Sequence, residues 1–218
     1  MNIDTHDLLH SIMTNLDQLN YIKPEEVPNI DLYMDQVTTF MDEKLRSVTR
    51  NPEDDKIMTK TMINNYAKNK LIPAPDRKKY TKEHMLLLIF IYYFKGIMSI
   101  GDIQTLLDPL TEKYFSGSGK EAINLETIYR EVFSLENESV EFMKRDVIKK
   151  FHMSQKTFSD VADKDKEFLQ LYSFICTLAF DVYVKKLMIE KMIDSMREMQ
   201  EKRDTQQEKK SEKAGQKK

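Results

Sequence analysis

Apolar residues recur at helical spacing along most of the chain. Leu8, Leu9, Ile12, Leu16 and Leu19 share one face and predict an amphipathic helix over 4–19. Pro24 and Pro28 break that pattern. Asp31 is the expected N-cap of a second helix over 32–45, with Met34, Val37, Phe40 and Met41 inward. A third helix is expected over 59–70, capped by Thr59 or Thr61, with Met62, Ile63 and Tyr66 forming its apolar stripe. Leu71-Ile72-Pro73-Ala74-Pro75 cannot be helical. Asp76-Arg77-Lys78-Lys79 reads as a turn, after which Tyr80 resumes an extended path. Thr81 then opens a helix that is apolar almost all round from Met85 to Phe94, the pattern of a helix at the centre of a domain. Gly96 ends it. Ser99, with Asp102 three residues on, opens the next, and Pro109 is expected to stop that one.

Ser116-Gly117-Ser118-Gly119 reads as a linker. Beyond it the pattern is helical over 124–151, polar over 152–163, and helical again over 166–203. From Asp204 the composition is mostly Gln, Glu and Lys, as in a disordered tail. Four units follow: an N-terminal helix over 1–28, a domain over 29–115, a helical region over 120–203, and a basic tail over 204–218. Only 5 Gly and 6 Pro are present, too few for a turn-rich β fold, so the expected class is all-α with one small β-hairpin and long C-terminal helices.

Charge changes the picture. The net charge is −2, but the balance is uneven along the chain. Residues 1–55 carry four basic and twelve acidic side chains; residues 56–82 carry eight basic and one acidic. A short basic block in a near-neutral chain gives a local attraction for an anion. Enzyme chemistry finds no support: no GxSxG, HExxH, phosphate loop or dinucleotide fingerprint is present, so neither catalysis nor a cofactor is expected. His6 and His10 lie one helical turn apart but lack a third ligand nearby, so no metal site is expected. The single cysteine, Cys176, cannot form an internal disulfide. The first ten residues carry Asp4 and Asp7 and no basic run, and no stretch of about 20 apolar residues occurs. Together these predict a cytoplasmic protein without a membrane span.

The most informative stretch is 59–107. Its order is short helix, proline-containing hairpin with a basic tip, tyrosine, capped helix, glycine, capped helix. Tyr66, Leu71-Ile72-Pro73, Arg77-Lys78-Lys79, Tyr80-Thr81-Lys82-Glu83 and Ile97-Met98-Ser99-Ile100-Gly101-Asp102-Ile103 follow one another at the spacing of a known pattern. The stretch resembles the winged helix–turn–helix domain of the MerR family of bacterial transcription regulators. It departs from that family in the long polar segment around Pro52, which replaces a tight turn, and in Asn64 and Asn65, which replace an arginine and a tyrosine. The whole chain, including Asn29-Ile30-Asp31 and Thr61-Met62-Ile63-Asn64-Asn65-Tyr66-Ala67-Lys68, is also similar to an uncharacterised bacterial family, domain of unknown function 1836.

The MerR resemblance implies a DNA-binding transcriptional regulator acting as a homodimer on double-stranded DNA, with a small-molecule effector of unidentified chemistry. The residues support the same expectation by a separate route. A recognition helix turns its outer face to base edges, and Lys60, Thr61, Asn64, Asn65 and Lys68 share the outer face of the third helix. Asn suits bidentate bonding to adenine; Lys and Thr suit phosphate. Tyr66, Arg77, Lys78 and Lys79 are expected at the backbone or flanking groove. The competing expectation is a helical protein-interaction module that keeps this scaffold without binding DNA. The acidic segment 1–55 either faces away or shields the basic strip, and in the second case removing 1–28 would tighten binding. The long terminal helix has two readings, a dimer seam through Val182, Ile189, Ile193 and Met196, or a fold-back onto the 124–151 helix; the first is favoured.

Overall fold

The computed structural model describes residues 5–17, 21–115 and 123–215, with the backbone alone at 6, 136–138, 163–164 and 206–215. The expected linker Ser116–Gly119 lies outside the described residues, as does the side chain of His6. The fold is mainly helical, with one two-stranded antiparallel sheet. Its elements are α1 (Thr5–Asp17), β1 (Leu32–Tyr33), α2 (Met34–Leu45), α3 (Lys60–Lys68), β2 (Lys79–Tyr80), α4 (Lys82–Phe94), α5 (Ile100–Tyr114), α6 (Leu125–Ser154) and α7 (Asp163–Gly215).

Helix α4 is the centre of the core. His84, Met85, Leu86, Leu87, Leu88, Ile89, Phe90 and Ile91 are all buried. At about 1.5–3 kcal/mol per fully buried large apolar side chain, this helix contributes more to the hydrophobic stabilisation than any other element. The core extends past residue 115. Leu125, Tyr129 and Phe133 of α6 join it, with Phe90 stacked on Phe133 at 5.4 Å. The Tyr129 hydroxyl donates to the buried Ile22 carbonyl at 2.6 Å. Ile22, Pro24 and Val27 are buried, and α1 packs against α6, with Lys144 bound to Asp17. The leading segment is therefore part of the core, and its removal would open the core rather than uncover the basic strip.

Several local expectations change. Asp31 does not cap α2, because Leu32 and Tyr33 are extended and pair with Tyr80 and Lys79. The alternation of buried Leu32 with exposed Tyr33 is that of a strand. The Tyr33 backbone N–H is instead satisfied by Gln36 Oε1 at 2.9 Å. Pro109 lies inside α5 and does not end it. A proline removes one helical hydrogen bond, but Leu107 on one side and Leu110 and Tyr114 on the other all pack on the core and hold the helix across it. Thr59 and Ser99 cap α3 and α5 as expected, and Asn124 caps α6.

Helices α6 and α7 form a long hairpin. Phe151 meets Phe174 edge to face at 5.5 Å, and Lys150 binds Asp181 across the pair. Gln170 closes the turn, its amide donating to the Gln155 and Thr157 carbonyls at 2.7 and 3.0 Å. Helix α7 also runs along α5, so the fold-back exists within one chain. It continues to Gly215, past the expected end at Arg203, through a Glu-, Gln- and Lys-rich stretch of good helix formers. Within Asp165–Thr205 it is long and apolar enough to cross a membrane, with a mean hydropathy of 1.2 over its best stretch. The stretch is not an unbroken apolar run, so it does not stand out as one in the sequence. Asp181 is the only charged side chain between Phe168 and Val184, and Gln, Ser, Thr and Tyr disguise the run.

Candidate nucleic-acid interface

Helix α3 sorts its residues sharply. The Met62 backbone N–H donates to Thr59 Oγ1 at 3.2 Å and fixes its start. Ile63 and Tyr66 are buried, while Lys60, Thr61, Asn64, Asn65 and Lys68 are exposed. Tyr66 lies on the inner stripe, as its spacing predicts, and so is turned away from the backbone or flanking groove also expected for it. It sits three residues after Ile63 on the same stripe, is 9% exposed, and burial pushes its phenol above the usual tyrosine range. Its carbonyl accepts from the Leu71 N–H at 2.8 Å and turns the chain into the hairpin.

The hairpin tip is conformationally costly. Arg77 and Lys78 are both left-handed, with φ of 47° and 65°, between Asp76 and Lys79, whose N–H donates to the Asp76 carbonyl at 2.8 Å. Positive φ at both central positions is a type I′ turn, which favours Asn and Gly. Holding two long cationic residues there costs of order 1–3 kcal/mol each. The result is a pair of exposed cations at the apex. Among the described residues, no ion pair holds Arg77, Lys78 or Lys68.

The two parts meet at the junction of β1 and α2. Lys79 lies over the Tyr33 ring at 5.7 Å. Two residues on, Asp35 binds Lys60 at the start of α3. Tyr33, 54% exposed, and Asp35 thus stand between the helix face and the wing, and sequence reasoning missed both. The signal was present in the alternation Leu32-Tyr33 facing Lys79-Tyr80, but a helix assigned from residue 32 concealed it.

His84 anchors the base of the hairpin. The Thr81 N–H donates to its Nδ1 at 3.0 Å, and its Nε2–H donates to the Pro73 carbonyl at 3.2 Å. Those partners set the neutral Nε2–H tautomer. Tyr80 and Phe115 pack edge-on to the ring at 5.4 and 4.7 Å. Burial lowers its pKa below the usual histidine value, against the opposing effect of the Pro73 bond. Behind the strip, Lys95 at the end of α4 donates to the Ile57 carbonyl at 2.6 Å and ties down the segment leading into α3. Among the described residues no group of three His, Cys, Asp or Glu could hold a metal ion. The arrangement is a polar, cationic ridge suited to contact with an extended anion.

No match to this chain is found among curated proteins or among solved structures. A family model does match, over residues 22–132, described as a domain of unknown function, DUF1836. That span runs from the buried Ile22 to the residue before Phe133, the same stretch that forms nearly all of the core around α4. By that match, the chain belongs to the DUF1836 family.

Proposed function

We propose that this protein binds double-stranded DNA as a MerR-like winged helix–turn–helix regulator of transcription in the cytoplasm. The observation that carries the reading is the junction at Tyr33 and Asp35, which brings the outer face of α3 and the wing onto one ridge. In this reading Asn64 and Asn65 meet base edges in the major groove, with Thr61 beside them. Lys60, Lys68, Arg77, Lys78 and Lys79 meet phosphates. Neutralising about five phosphates gives a slope of log affinity on log salt of roughly −4.5 per subunit. A homodimer would present two ridges to two half-sites of an inverted repeat.

The experiment is enrichment of random duplexes on the purified full-length protein at physiological ionic strength. A recurring inverted-repeat consensus is expected, and the paired substitution R77E/K78E should abolish enrichment while leaving the circular dichroism unchanged. A second reading, a protein-interaction module on the same scaffold, is favoured by the Asp35–Lys60 pair, which lowers the net charge of the ridge. That reading predicts no enrichment above random sequence and no salt-dependent duplex binding.

A further inference from the structure

The segment between α2 and α3 runs past the C-terminal end of α4, and a cleft of about 520 Å³ opens between them. That size falls within the roughly 300–1,000 Å³ of small-molecule sites. Tyr92 and Tyr93, on the last turn of α4, line it with their rings edge to face at 5.6 Å. Val48 and Ile57 add apolar surface from the segment. Three cations reach the same cleft: Arg50 and Lys56 from the segment, and Lys95 from the end of α4. Asp55 is the single acidic side chain on the lining, and its Oδ2 already accepts from the Asn51 N–H at 3.0 Å.

Lys95 is the anomaly. Its partly buried ammonium donates to the Ile57 carbonyl at 2.6 Å and lies 4.9 Å from the centre of the Tyr92 ring. Burial lowers its pKa below the ordinary lysine value, and no carboxylate offsets that cost. Lys82, Lys144 and Lys150 are also partly buried, and each binds a carboxylate. Among the described residues no ion pair holds Lys95, Arg50 or Lys56. A partly desolvated cation with only a carbonyl and a ring face for partners lacks an anion.

We propose that this cleft binds a small aromatic carboxylate, the carboxylate held by Lys95, Arg50 and Lys56 and the ring packed on Tyr92 and Tyr93. The Arg50 fork can take a carboxylate on two parallel N–H bonds, and Lys95 has donors beyond the one given to Ile57. A free phosphate would use the cations but leave the two tyrosines and Ile57 without an apolar partner. The site lies within the domain that carries the ridge, and the C-terminal hairpin of α6 and α7 contributes nothing to its lining. Ile57 stands two residues before Thr59, the N-cap of α3. A ligand bridging Arg50 and Lys56 to Lys95 therefore fixes the lead-in of α3. Any effect of that on duplex binding rests on the proposed function; the binding site does not.

The test is titration calorimetry on the full-length chain, with 2-naphthoate as the probe. Saturable binding is expected with a Kd below about 1 mM. The neutral 2-naphthamide should bind about tenfold more weakly or worse, because it lacks the charge. R50Q/K56Q changes two exposed side chains and should weaken naphthoate about tenfold while leaving the circular dichroism unchanged. Lys95→Met keeps the stem beside Tyr92, removes the ammonium, and should weaken naphthoate to a similar extent. Binding by a chain that takes up no duplex supports the site and removes only the reading of the ridge. The absence of saturable naphthoate binding overturns the proposal, as does naphthamide binding as tightly as naphthoate. Displacement of naphthoate by an equal concentration of inorganic phosphate also overturns it, because the cleft would then be a plain anion site. So does full affinity in both R50Q/K56Q and K95M, which would place the naphthoate elsewhere.

Discussion

Asp102 binds Arg197 at 2.5 Å through one carboxylate oxygen while the other closes the cap of its own helix. Its Oδ2 accepts from the Ser99 hydroxyl at 2.7 Å and from the Ser99 N–H at 3.2 Å. Its pKa is lowered first by the Ser99 bond and then by Arg197. One side chain therefore joins the start of α5 to the C-terminal half of α7, and Arg197 adds a bond to Thr105 Oγ1 at 3.1 Å.

Removing either partner should have unequal effects. Arg197→Met loses a part-exposed ion pair, a loss of about 0.2–1 kcal/mol. Asp102→Ala loses that pair and the cap, for a total of about 1–2 kcal/mol. Urea unfolding of the two single variants and the double variant gives a coupling energy. A value near zero would mean that α5 and α7 are held by packing alone.

The wing turn sets stability against binding. Replacing Arg77-Lys78 by Asn-Gly supplies the residues that a type I′ turn prefers and should raise stability by about 1 kcal/mol or more. The same change removes two cations and should flatten the salt dependence of duplex affinity by nearly two units of slope. Thermal melts and fluorescence titrations at several salt concentrations check both effects.

Much of this was legible in the sequence, for identifiable reasons. The apolar run Met85–Phe94 has no polar face, and only a central helix satisfies it. Ser99 and Asp102, and Thr59 before α3, are local signals whose meaning does not depend on distant packing. The failures are tertiary. Leu32 and Tyr33 follow helical spacing equally well, and only their pairing with Tyr80 and Lys79 makes them a strand. Pro109 ends a helix by local rule, yet the core contacts on both sides override it. The Asp35–Lys60 pair joins residues from different elements, a contact that no spacing rule finds.

That pair makes its own prediction. Asp35 is an exposed carboxylate beside the ridge, and a polyanion must approach it. Asp35→Asn should raise duplex affinity several-fold at physiological salt and release Lys60 for phosphate contact, with little change in stability because both partners are exposed. Unchanged affinity in a protein that does bind DNA would place Lys60 outside the contact.

The last prediction concerns pH and His84. Its folded pKa lies below the ordinary value of 6.5, so between those two points the unfolded chain binds the extra proton. Stability should therefore be fully present above about pH 6.5 and decline as the pH falls through 6.5 toward the folded value. Protonating Nδ1 would set a donor against the Thr81 N–H and place a charge between Tyr80 and Phe115. Glu83 and Asp31 act to raise the pKa and soften the effect without reversing it. Carboxylates with lowered values, Glu26 and Asp42 among them, titrate in a more acidic range and are common to every variant. The measurement is the difference in urea midpoint between pH 7.5 and 5.5, for the wild type against His84→Gln, which keeps an amide to bond Pro73 but cannot titrate. The wild type should lose more than the variant over that interval, and proteolysis near Arg77 should accelerate with it, because the ring ties Pro73 to the start of α4. Equal losses would mean that His84 stays neutral across the range and that the wing base is insensitive to acid.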